Sequence, residues 1–101
     1  MNAPRNLVGP QIRQLRAKMD LTQPMLVAKC QLIGWDISRE TIAKIESQIR
    51  WVSDFELLGF AKALNVSVDE LWPQANQIPN ALNQFFQRLE TPKSARRRKL
   101  S

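Results

Sequence analysis

Four polar side chains, Arg39, Glu40, Thr41 and Lys44, crowd a stretch that opens on Ser38 and carries Ile42 and Ile45 among them. In a helix these spacings separate two faces. Ile42, Ile45 and Ile49 form an inward stripe, and the four polar residues point elsewhere. The outward face is polar and partly basic, suited to hydrogen bonding and to meeting anions rather than to breaking bonds. The chain has no His and a single Cys, Cys30. Metal sites built from several His and Cys ligands are therefore excluded, as are disulfides within one chain. No nucleophile with a neighbouring base, no phosphate-cradling Gly loop and no paired carboxylates at a pocket are visible. We expect no enzyme, no cofactor and no metal.

The elements that must hold this face are short helices. Val8, Ile12, Leu15 and Met19 follow helical spacing, which predicts a first helix from about Gly9 to Met19. Thr22 can cap a second, about Gln23 to Ile33, where Pro24 is tolerated only because it lies in the first turn. Leu26, Cys30 and Ile33 form its inner stripe, and Gly34 is a natural left-handed stop. Ser38 caps the third. Ser53-Asp54-Phe55-Glu56 and Ser67-Val68-Asp69-Glu70 both match the S-x-x-E capping box and start a fourth and a fifth helix. The fourth carries Leu57, Leu58, Ala61 and Leu64 and ends near Asn65; the fifth closes at Leu71-Trp72 before Pro73. Residues 73–79 read as a linker. Ile78, Leu82, Phe85, Phe86 and Leu89 then recur at helical spacing, predicting a sixth helix over Asn80 to Glu90.

At 101 residues the chain has room for one core and an appended helix. The formal net charge is +6, but Lys93, Arg96, Arg97, Arg98 and Lys99 supply most of it, so charge alone says little about the rest. The residues from 92 onward are polar, basic and aperiodic, the composition of a disordered tail. No stretch approaches the roughly 18 apolar residues of a membrane span, and Met1-Asn2-Ala3-Pro4-Arg5 lacks an apolar signal core. A reduced, cytoplasmic setting without membrane association is expected.

Leu15-Arg16, Leu21-Thr22-Gln23, Leu26 and the run from Ile37 to Glu46 together resemble the helix-turn-helix of the Cro and phage-repressor (XRE) family. The likeness continues through Glu56-Leu57-Leu58, Ala61 to Ser67 and Asp69-Glu70-Leu71, about Val8 to Trp72 in all. The resemblance implies an all-α fold: a five-helix lambda-repressor-like DNA-binding domain at 8–72, then a linker and amphipathic C-terminal helix at 73–91, and a basic tail at 92–101. It implies a sequence-specific transcriptional regulator, a repressor of phage, mobile-element or bacterial origin, reading the major groove of double-stranded DNA with the helix that starts at Ser38.

By position, Arg39, Glu40, Thr41 and Lys44 match the family's base-reading sites. Arg39 suits the two acceptors of guanine, Glu40 a cytosine amino group, and Lys44 a base or a phosphate. Thr22, Gln23, Ser38, Ser47 and Arg50 match family positions that hold the DNA backbone, contacts that set register rather than sequence. Arg16 and Glu46 match a structural ion pair joining the first helix to the recognition helix. One departure stands out. Gln31 to Asp36 make an unusually long connection, which we read as an extra turn of the second helix before Gly34. Trp35 either packs under that connection, the reading we favour, or meets a partner.

The stripe Ile78, Leu82, Phe85, Phe86 and Leu89 is too apolar to leave in water. It covers its own domain or meets another chain, and a homodimer is favoured because two-fold readers match paired half-sites. The alternative is an antitoxin-like module whose C-terminal segment binds a protein partner. The tail from Lys93 to Lys99 either releases counterions on DNA or stays solvated.

Overall fold

The computed structural model describes residues 3–89, and every regular element among them is helical. The expectation for the basic tail lies outside the described residues. α1 spans Gly9–Lys18, α2 Gln23–Leu32, α3 Arg39–Glu46 and α4 Asp54–Leu64; a 3₁₀ turn, Val68–Leu71, follows. A second 3₁₀ turn, Ala75–Gln77, leads directly into α5, Ile78–Leu89. The described residues form two compact units, Arg5–Pro73 and a smaller one containing Gln74–Leu89 with Ala3 and Pro4.

The larger unit is built on one core. Ile12 of α1, Leu26 and Cys30 of α2, Ile42 and Ile45 of α3, Phe60 of α4 and Leu71 are wholly buried, with Val8, Ile37 and Leu64 around them. Each large apolar side chain removed from water contributes about 1.5–3 kcal/mol, so every helix is fixed by at least one such anchor. The predicted inner stripes supply the anchors of α1, α2 and α3, but the anchor of α4 is Phe60, which lies outside the expected set of Leu57, Leu58, Ala61 and Leu64. Cys30 behaves as a small hydrophobe, and burial pushes its thiol up to about 11.

The four helices of this unit end in the same way. A residue at or just after each helix end takes a positive φ: Asp20 at 57°, Gly34 at 89° and Gln48 at 64° follow the caps of α1, α2 and α3, and Asn65 at 57° is itself the cap of α4. In each case the next amide bonds back five residues, as Leu21 to the Arg16 carbonyl, Trp35 to Cys30, Ile49 to Lys44 and Val66 to Ala61. These are Schellman closures, which satisfy carbonyls that the helix end would otherwise leave bare. Their starts are equally local. Thr22, Ser38 and Ser53 each accept a hydrogen bond from the amide three residues on, while Glu70 Oε2 accepts from both the amide and the hydroxyl of Ser67.

Several expectations need correction. Ile49 is not part of an inward stripe: α3 stops at Glu46, Gln48 turns the chain outward, and Ile49 is 58% exposed. Met19 and Leu58 are also exposed, Met19 because α1 ends before it. The fifth element is a single 3₁₀ turn rather than an α-helix. α5 starts earlier than expected, taking in Ile78 and Pro79, which the first turn tolerates. α5 buries none of its residues fully; Leu82, Phe86 and Leu89 are exposed, and Ile78 and Phe85 are half-buried.

Candidate nucleic-acid interface

α3 is held from behind and bare in front. Ser38 Oγ accepts from the Thr41 amide at 3.1 Å and donates to Thr41 Oγ1 at 3.0 Å, fixing the first turn. Ile42, Ile45 and Glu46 face the interior. Arg39, Glu40 and Lys44 are exposed, and Thr41 is half-buried beside its cap. Among the described residues none of these three charged side chains enters an ion pair. The face that the sequence assigns to bases is thus an uncommitted polar surface on a rigidly anchored helix.

The anchor at the far end of α3 is electrostatic. Arg16 grips Glu46 at two points, Nε to Oε2 at 2.7 Å and Nη2 to Oε1 at 3.0 Å, and its third nitrogen donates to the Leu21 carbonyl at 2.7 Å. Gln23 Nε2 donates to the same Glu46 oxygen at 3.0 Å. Glu46 is buried, and its oxygens are met by donors from α1 and α2. The hydrogen bonds to Glu46 hold the Arg16 guanidinium above its ordinary range, against the opposing effect of burial. The start of α2, where Thr22 is exposed and Gln23 half-buried, is therefore tied directly to the end of α3.

A second clasp closes on the turn that follows. Asn6 Nδ2 donates to the carbonyls of Ile45 at 3.0 Å and Arg50 at 2.9 Å, and Asn6 Oδ1 accepts from the Gly9 amide at 2.8 Å. Gln48 returns the contact, its Nε2 donating to the Asn6 carbonyl at 2.9 Å, while the Arg5 amide donates to the Gln48 carbonyl at 2.9 Å. Gly9 is needed for this approach, since a Cβ there would run into the Ile45 carbonyl. Sequence reasoning missed Asn6 and Gln48. An Asn three residues before Gly9 was a readable helix-cap signal; the bonds to residues some forty positions away were not.

Ser47 lies exposed at the end of α3, but Arg50 is already engaged. Its guanidinium meets Glu56 at 3.1 and 3.0 Å and donates to the Trp51 carbonyl at 3.1 Å. The Arg50 hydrogen bonds hold the Glu56 carboxyl below its usual range. On the other side of the motif, the long connection after α2 is stabilised by Trp35. Its indole stands nearly edge-on to Phe60, with ring centroids 4.8 Å apart and planes at 69°. Trp35 packs under the connection, as favoured.

With α2 and α3 placed and joined in this way, likeness to known proteins becomes decisive. A helix-turn-helix family model matches residues 12–71. The chain belongs to the XRE-type helix-turn-helix family. It is a DNA-binding transcription regulator by that membership, and the matched residues take in both α2 and α3. Among solved structures it is similar to the restriction-modification controller protein C.AhdI from Aeromonas hydrophila. Identity is 31%, the TM-score is 0.56, and the match covers 65% of this chain and 96% of that one. A comparison with curated proteins finds no match. Among the described residues of this XRE-type chain, no acidic or thiol cluster is arranged to hold a metal ion, and no helix is long and apolar enough to cross a membrane.

Proposed function

We propose that the chain is a sequence-specific, non-enzymatic repressor of transcription that inserts α3 into the major groove of double-stranded DNA. Arg39, Glu40, Thr41 and Lys44 read base edges. Thr22, Gln23, Ser38 and Ser47 hold the phosphate backbone at the helix ends, and Arg50 joins them by sharing its guanidinium with Glu56. The observation that carries this reading is the division of α3 into an anchored rear and an unpaired front. A helix tied by Arg16, Gln23 and Ile45 keeps its orientation when Arg39 and Lys44 engage a ligand, so little ordering remains to oppose binding. We place the protein in the cytoplasm, where its DNA would be.

Two copies bind together in this reading, joined through Ile78, Leu82, Phe85, Phe86 and Leu89 of α5. Three of these side chains are exposed along one amphipathic helix, and a two-fold pair fits half-sites one helical turn, about 34 Å, apart. Selection of bound duplexes from a random pool tests the function: an enriched motif supports it, and retention without any motif reduces it to nonspecific association. Sedimentation of a protein ending at Trp72 tests the pairing, because an unchanged association state relative to the full chain removes α5 from it. In that case a different protein is the partner that the stripe would meet, as an antitoxin-like module would require.

A further inference from the structure

Resting on the DNA-binding reading above, we propose that Arg5 is a phosphate contact of this protein, mounted on the turn that follows the recognition helix. That turn, Ser47 to Arg50, flanks the helix end where the DNA backbone is expected, yet it brings no uncommitted cation of its own. Ser47, Gln48 and Ile49 are uncharged, and Arg50 is held by Glu56 on both terminal nitrogens. Arg5 supplies the missing charge through the backbone. Its amide is bonded to the Gln48 carbonyl, and the adjoining Asn6 side chain bridges the carbonyls of Ile45 and Arg50.

Arg5 is exposed, and among the described residues its guanidinium makes no hydrogen bond or ion pair. The Cα is therefore fixed while the side chain is free. A pinned backbone with a mobile, always-charged fork suits phosphate, which accepts two parallel N–H bonds from Arg. The Asn6 clasp makes the segment before α1 a rigid extension of the α3 end, so this contact is delivered in register with Arg39 and Lys44.

The test compares the wild-type chain with Arg5→Ala and Arg5→Lys on a duplex carrying the selected site, across a series of salt concentrations. Arg5→Ala keeps the main-chain bond to Gln48, so its melting temperature should match the wild type. Loss of one phosphate contact should make the slope of log affinity against log salt shallower by about 0.9, with the preferred sequence unchanged. Arg5→Lys should recover most of the slope. A wild-type slope for Arg5→Ala on a site that the wild type binds overturns this inference and leaves the DNA-binding reading intact. Failure of the wild type itself to bind any duplex overturns both.

Discussion

Trp35 lies so close to Gly59 that a Cβ on the glycine would sit 2.8 Å from the indole ring. The contact joins the long connection after α2 to the middle of α4 and holds the approach to Ser38. On the core side the ring is backed by Phe60, which is wholly buried. Gly59→Ala should destabilise the fold by about 1–3 kcal/mol, the usual cost of forcing a methyl group into a packed site. Urea unfolding followed by Trp fluorescence would measure it. A midpoint equal to the wild type would show that the connection is not braced there.

Arg16→Ala strands the Glu46 carboxylate, whose side chain is only 4% exposed. Breaking a buried pair in this way costs about 3–5 kcal/mol, whereas replacing both partners by apolar residues is often neutral. We expect Arg16→Ala to unfold at much lower denaturant and Arg16→Met with Glu46→Leu to regain most of the loss. Equal destabilisation of the single and double variants would mean that the network, including Gln23, contributes by geometry rather than by charge compensation.

The Arg50 and Glu56 pair gives stability a dependence on acid. The folded carboxyl gives up its proton more readily than the unfolded one, so the pair stabilises the fold above the ordinary carboxyl range near 4.3. That contribution disappears as pH falls through the lower folded value. Glu56→Gln should therefore melt below the wild type at pH 7, with the gap narrowing under acid. The pair is partly solvated, its side chains 36% and 23% exposed, so the effect is modest. A gap that stays constant down to pH 2 would assign it to the Ser53 cap instead.

The helices were legible where the signals are local. Ser38, Ser53 and Thr22 read as caps from their own chemistry, and Gly34 and Asn65 read as stops because both residue types accept a left-handed backbone. Asp20 and Gln48 adopt that conformation without being glycine, and no local signal marked them. At Gln48 the clasp from Asn6 and Arg5 supports the turn, a tertiary cause invisible to periodicity. The same turn explains Ile49, which continues the helical spacing of Ile42 and Ile45 after the helix itself has stopped. The face of α3 was readable because Arg39, Glu40 and Lys44 are separated from Ile42 and Ile45 by spacing alone. Its supports were readable only in part: Arg16 and Glu46 through family likeness, Gln23 and Asn6 only once the chain was folded.

Whether α3 reads base edges through its exposed front is decided by repeating the duplex selection with Arg39→Ala. The variant, folded as stably as the wild type, should enrich the same motif except for one relaxed position in each half-site, with about 1–3 kcal/mol less discrimination there. An unchanged motif at every position would contradict base reading by α3.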